Sequence, residues 1–434
     1  MKRYLLILAV TITAFNLYAQ KEPQIKVSIM PDHIDWNYTL GEKARFEIKV
    51  MRNDTLIRNA DIRYEISYDM MKPFKEEKKV LKNGTLTVEG GTMNVSGFLR
   101  CRAFYTYKNK EYEGRATAGF DPLLLKATTI MPDDFVDFWN KAKEENSKIP
   151  MNAKLRLLEN KSNDKVNVYE LKVQNFQQES YIYGILCVPK ASGKYPAILR
   201  VPGAGVRPMN GDRGAAERGI ITLEIGIHGI PVTMDKEIYD NLYKAGLHGY
   251  QYANWDNRDR VYYKRVYLGC IRAIDYIFSM DEFDGTNMAV QGGSQGGALA
   301  IVTAALDNRV KGLVSFYPAL CDLPGYLQKD RAGGWPHYFR DQTDTSCILE
   351  EKVKVSSYYD VVNFARTVKV PGFYSFGYND MVCPPTSMYS AVNAVAAPKT
   401  IVIVPETAHY ANGKEWTTAS NWLSELFRKK IKQN

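Results

Sequence analysis

NMAVQGGSQGGALAIVTAALD, residues 287–307, sets a short apolar run before one serine and a long alanine-rich run after it. Gly292-Gly293-Ser294-Gln295-Gly296 satisfies G-x-S-x-G, a pattern that glycine-rich loops also meet by chance. The flanks discriminate. The run before Ser294 has the length and apolarity of a buried strand, and GALAIVTAALD has those of a helix. A strand–serine–helix turn lifts the hydroxyl to the apex of a sharp elbow. A serine there holds an unfavourable backbone angle, and the glycines two residues to either side are needed because a Cβ would collide with the strand or the helix. A flexible loop or a simple helix cap asks for neither flank.

A serine at its ordinary pKa is a weak nucleophile, so this reading requires a base and a carboxylate that orients it. Behind an elbow of this kind they follow in the order acid, then histidine. The chain has five histidines, at 33, 228, 248, 337 and 409, and the first three precede Ser294. His337 lies in GGWPHYF with no strand leading into it. His409 directly follows the apolar run KTIVIVPE, in a polar loop before the last helix, and is the expected base. VPGFYSFGYNDMVCPP puts Asp380 just past another apolar run, in a loop closed by Pro384 and Pro385, and makes it the expected acid. Glu406 stands too near His409 in sequence to be preferred. The expected oxyanion donors are the backbone N–H groups of Gln295, after the serine, and of Ala204 in VPGAGVRP, after the first long buried strand.

Outward from the elbow the chain divides. From residue 21 to 121, ARFEIKV, DIRYEISYD, TLTVEG and FLRCRAFYTY alternate apolar with polar residues between turns such as RND and KNG. That period of two predicts a small antiparallel, immunoglobulin-like β-sandwich with no catalytic cluster, a packing partner for the rest of the chain. At MPDDFVDFW the period changes: Phe135, Phe138 and Trp139 share one helical face. From residue 130 to 434, VNVYELKVQ, ESYIYGILCVPK, YPAILRVPG, GIITLEIGI, VKGLVSFYP and VPGFYSFGY alternate with helical stretches. This predicts an α/β domain with a doubly wound, mostly parallel sheet.

Residues 1–19, with Lys2 and Arg3 before an apolar run and small residues up to Ala19, have the build of a cleaved signal peptide. The run is short for a spanning helix, so an exported, periplasmic or secreted protein without a membrane anchor is expected. The net charge of +9 is scattered rather than gathered into an arm, which argues against a nucleic-acid partner. Cysteines 101, 187, 270, 321, 347 and 383 lack metal-ligand spacing and sit mostly in apolar contexts. Neither a metal site nor a disulfide scaffold is expected; buried thiols are, with individual pairs left open by the sequence.

GGSQGG, the helix VYYKRVYLGCIRAIDYI, the segment GYNDMVCPPT and the helix MPDDFVDFW together, matching in order, resemble the acetyl xylan esterase and cephalosporin-C deacetylase family. The resemblance runs from about Pro132 to the C-terminus. It implies an α/β-hydrolase that removes acetyl groups from xylo-oligosaccharides and small acetylated compounds without a cofactor, in some members as a homo-oligomer. It also implies Ser294, Asp380 and His409 as the triad and Ala204 and Gln295 as the oxyanion donors.

The chain departs from the family's pattern at His228-Gly229-Ile230, where Arg-Gly-Gln is usual, at Pro202-Gly203-Ala204 for His-Gly-Tyr, and at Tyr410 for Glu. His228 as an acyl-pocket wall and Trp335 as a sugar-stacking platform are candidates, with loop support or core packing as the alternative for each. A serine peptidase of the same fold and a non-catalytic carbohydrate-binding protein are the competing functions. The first would cleave amides and the second would lack a complete triad.

Overall fold

A computed structural model describes residues 23–341 and 346–431. The expected signal peptide lies outside the described residues, as does the side chain of Cys347.

The N-terminal part holds nine strands: β1 (Ile25–Pro31), β2 (Asn37–Tyr38), β3 (Ala44–Arg52), β4 (Thr55–Leu56), β5 (Ala60–Tyr68), β6 (Lys75–Leu81), β7 (Thr85–Gly91), β8 (Gly97–Tyr107) and β9 (Lys110–Phe120). One sheet joins β3 to β1, β4 and β7; the other runs β2-β9-β8-β5-β6. Strands β1 and β3 alternate buried and partly exposed residues along their length, the mark of a sheet with one face on a core. The start of β8 and the end of β9, which pair with each other, break that rule. Gly97–Cys101 and Ala116–Phe120 are buried at every position. Their inner side chains fill the space between the sheets. Their outer side chains, Phe98 and Arg100 among them, meet the second half of the chain, where Phe98 packs edge-on against Tyr378 with ring centroids 5.0 Å apart.

That second half begins with α1 (Phe135–Ser147), which buries Phe135 and Trp139 as the sequence predicts. It continues through β10 (Lys154–Leu157), β11 (Val166–Gln174), β12 (Tyr181–Pro189), β13 (Tyr195–Val201), α2 (Arg213–Glu217), β14 (Ile221–Gly226), α3 (Lys236–Lys244) and α4 (Tyr262–Phe278). Then come β15 (Phe283–Gly293), α5 (Gln295–Leu306), β16 (Gly312–Phe316), α6 (Ser346–Ser357), α7 (Val361–Ala365), β17 (Gly372–Phe376), α8 (Pro385–Ala394), β18 (Lys399–Ile403) and α9 (Gly413–Ile431).

The sheet order is β10-β11-β12-β14-β13-β15-β16-β17-β18, antiparallel as far as β14 and parallel from there on. The central parallel strands are the continuous apolar runs of the sequence, and β16 and β17 are buried at every position. The order reverses around β13. Loops leaving the C-terminal ends of β13, β15, β16, β17 and β18 therefore converge on one crevice, the usual ligand position in such sheets. Among the described residues no helix is long and apolar enough to cross a membrane.

Candidate active site

Ser294 caps α5 with φ 59° and ψ −125°, a conformation outside the regions that side chains favour. Its neighbours explain how it is held. A Cβ on Gly296 would lie 2.3 Å from the Val201 carbonyl oxygen, and one on Gly292 would lie 2.5 Å from the carbonyl of Gly296. The elbow closes because both positions lack a side chain. The Ser294 N–H donates to the Phe316 carbonyl at 3.0 Å, and its own carbonyl accepts from Ala298 and Ala319, each at 3.1 Å. Backbone bonds to two elements thus sustain the strained angle.

The three expected side chains meet. His409, in the loop after β18, sets Nε2 2.9 Å from Ser294 Oγ and Nδ1 2.7 Å from Asp380 Oδ2. Because the Asp380 carboxylate is an acceptor, Nδ1 carries the proton and Nε2 is left to accept from the serine. Asp380 is fully buried, and its other oxygen accepts from the N–H groups of Val382 at 2.8 Å and Cys383 at 2.9 Å. The His409 ring packs edge-on against Tyr317 at 4.8 Å, which fixes its plane.

The loop Pro202–Gly205 lies beside the serine, where a Cβ on Gly203 would stand 3.9 Å from Ser294 Cβ. Each of its carbonyls accepts from a side chain. Gln295 Nε2 holds that of Pro202 at 3.3 Å, Arg207 holds those of Gly203 at 3.4 Å and Ala204 at 2.7 Å, and His228 Nε2 holds that of Gly205 at 3.0 Å. The Gly205 N–H donates to Tyr250 Oη at 3.2 Å, and that hydroxyl donates to Gln295 Oε1 at 2.8 Å. Burial pushes Tyr250 up to about 12, so it remains a hydroxyl. The peptide planes around Ala204 are therefore fixed from the carbonyl side. Among the described residues its N–H meets no partner within the chain.

His228 does not stand as a free pocket residue. Both ring nitrogens are engaged, Nδ1 with Tyr262 Oη at 2.8 Å and Nε2 with the Gly205 carbonyl, and burial lowers its pKa to about 4. A neutral histidine that props the Ala204 loop matches the loop-support alternative considered from sequence. Trp335 is half-buried and packs at the margin of the main core, and its carbonyl accepts from Leu320 N at 2.9 Å. Its packing against the core matches the core-packing alternative considered for it. His337 bonds Tyr326 Oη at 2.7 Å and stays outside the relay, as the sequence implies. Cysteines 101, 187, 270, 321 and 383 are buried and unpaired.

Several residues escaped sequence reading. The Gln295 side chain, wholly buried, ties the elbow to the Pro202 carbonyl; only its backbone was anticipated. Arg207 and Tyr250 carry no local signal of their roles. Arg100, from β8, donates through Nη2 to the carbonyls of Tyr378 and Asp380, both at 3.3 Å.

Residues 124–426 match the acetyl xylan esterase (AXE1) family. The acetyl esterase Axe7A of Xylanibacter ruminicola is 40% identical over 401 residues, which cover 91% of this chain and 89% of that protein. An acetyl xylan esterase from Paenibacillus sp. R4 superposes with a TM-score of 0.61 at 26% identity, over 70% of this chain and 98% of that one. Acetyl xylan esterase 1 from Thermoanaerobacterium sp. JW/SL YS485 gives the same TM-score and coverages at 24% identity and bears on the fold alone. The chain belongs to the acetyl xylan esterase family and is a carboxylic ester hydrolase built on the α/β-hydrolase fold.

Proposed function

We propose that this chain is an exported serine esterase that removes acetyl groups from carbohydrates or similar small acetylated compounds, with Ser294, His409 and Asp380 as its triad. The observation that carries the reading is the continuous relay from a strained, glycine-flanked serine through His409 to a buried carboxylate, with spacings of 2.9 and 2.7 Å.

Ser294 Oγ attacks the ester carbonyl carbon as its proton passes to His409 Nε2. The oxygen of the tetrahedral intermediate accepts from the N–H groups of Gln295 and Ala204; one such donor is typically worth about 3 kcal/mol. The carbon–oxygen bond to the alcohol breaks, and the alcohol leaves with the proton from His409. Water then gives a proton to His409 and attacks the acetyl-serine, and acetate leaves as Ser294 Oγ recovers its proton. Asp380 keeps the imidazole oriented throughout. Two proposals complete the reading: residues 21–121 form an immunoglobulin-like accessory domain to the hydrolase at 130–434, and residues 1–19 direct export.

A panel of substrates tests the function. Acetylated xylo-oligosaccharide and p-nitrophenyl acetate should release acetate, and a longer acyl ester should react more slowly. A dipeptide amide should be left intact. Turnover of the amide but of neither acetyl ester would overturn the esterase reading in favour of a peptidase.

A further inference from the structure

The N-terminal strands do more than pack against the catalytic half. Tyr378, Asn379 and Asp380 are consecutive, and each is tied to the first sheet domain. Tyr378 Oη donates to Asn37 Oδ1 at 2.8 Å. Asn379 Oδ1 accepts from Thr117 Oγ1 at 3.1 Å, and its amide nitrogen donates to the Arg115 carbonyl at 3.3 Å. The carbonyls of Tyr378 and Asp380 both accept from Arg100 Nη2 at 3.3 Å.

Arg100 is 1% exposed and is itself fixed at two further points. Its Nε donates to Thr117 Oγ1 at 2.9 Å, and Nη2 lies 2.8 Å from the equally buried Asp69 Oδ1. Asp69 reaches the far end of the same loop, where Oδ2 accepts from Thr386 N at 3.2 Å and Thr386 Oγ1 at 2.9 Å. The segment from Tyr378 to Thr386, with Asp380 inside it, is therefore gripped at both ends by one buried ion pair from the other domain. A buried ion pair is costly to desolvate and contributes little net stability, so its use here as a geometric fixture is the more economical account.

We infer that Arg100, paired with Asp69, is a positioning residue that holds the Asp380 loop in register with His409, so that the active site is completed across the domain boundary. Arg100 lies before residue 124, where the family match begins, so this support comes from outside the matched region. The inference rests on the proposed role of Asp380 as triad acid. Without the guanidinium, the carbonyls of Tyr378 and Asp380 lose their shared donor and the loop gains freedom next to the 2.7 Å bond to His409. Misplacements of about 1 Å at a catalytic group can cost about a hundredfold in rate.

The test uses the full chain carrying Arg100→Met, Arg100→Lys or Thr117→Val, with Asp380→Asn as reference and p-nitrophenyl acetate as substrate. Arg100→Met should lower kcat by roughly ten- to a hundredfold with KM within about threefold of wild type. Arg100→Lys should recover part of that loss. The low-field proton resonance of His409 Nδ1–H should weaken or broaden in Arg100→Met. Thr117→Val, a near-isosteric change that removes one anchor of Arg100, decides the matter if Arg100→Met does not fold, and should lower kcat several-fold. Folded variants with wild-type kcat and an unchanged His409 resonance would overturn the inference. If Asp380→Asn itself keeps wild-type kcat, the proposed triad has failed instead.

Discussion

Gln295 Nε2 donates to the Pro202 carbonyl at 3.3 Å and so links the two loops that supply the proposed oxyanion donors. Its Oε1 accepts from Tyr250 at 2.8 Å and Tyr263 at 3.0 Å, so both acceptor positions of the amide oxygen are filled and its orientation is set by those hydroxyls. Gln295→Leu strands two buried hydroxyls and frees the Ala204 loop. Its kcat should fall by about tenfold or more, and each stranded hydroxyl should cost about 1–3 kcal/mol of stability. Steady-state kinetics with a chemical denaturation curve checks both. Unchanged kcat would mean that the loop holds its place without the link.

Arg207 acts on the same loop from the solvent side, donating to the Gly203 and Ala204 carbonyls. Arg207→Gln should lower kcat/KM on acetyl esters by roughly tenfold with little effect on the melting temperature, because the side chain is exposed. A loss confined to melting temperature would contradict a role in aligning Ala204.

The elbow makes a steric prediction. Gly296→Ala places a methyl 2.3 Å from the Val201 carbonyl oxygen, backbone that cannot swing aside, so the variant should lose soluble yield or nearly all activity. Gly413→Ala meets nothing within 4 Å and should match wild type. Expression yield and acetate release of the two variants compare them directly.

The stability of the fold should depend on His228. Burial lowers its pKa from 6.5 to about 4, so the unfolded chain binds the extra proton more readily between those values. Stability is therefore fully present above pH 6.5 and declines as pH falls toward 4, by about 3 kcal/mol from this group. His337, lowered to about 4 by burial, adds a loss of the same sign. His228→Gln should flatten the decline between about pH 6.5 and 4.5, read as melting temperature against pH. An identical slope in the variant would show that His228 does not carry it.

Ser294, Asp380 and His409, which the structure brings together, were legible because their signals are local. An apolar strand, a glycine-flanked serine and an alanine-rich helix are adjacent in the chain, and Asp380 and His409 each follow an apolar run. The supports were not legible, since each depends on what folds over it. In FLRCRAFYTY, alternation assigns Leu99, Cys101 and Ala103 to the core and Arg100 to solvent. Successive side chains do point to opposite faces of the strand, but the face of Arg100 is covered by the Asp380 loop, and nothing in β8 encodes the cover. Strands β6 and β10 escaped notice for the opposite reason. KEEKKVL buries only its last residue and KLRL is exposed throughout, so burial imposes no period on them. His228 invited a pocket role through its place after a central strand. The Gly205 carbonyl, from the loop after β13, and Tyr262, from the start of α4, claim both of its nitrogens.

The central claim is that Ser294 carries the acyl group. Incubation of the full chain with a fluorophosphonate, followed by peptide mass spectrometry and assay of acetate release from p-nitrophenyl acetate, addresses it most directly. One adduct, on Ser294, should form in step with loss of activity, and Ser294→Ala should neither take the label nor release acetate beyond a small residual rate. Labelling at another residue, or acetate release that survives Ser294→Ala at near the wild-type rate, would contradict it.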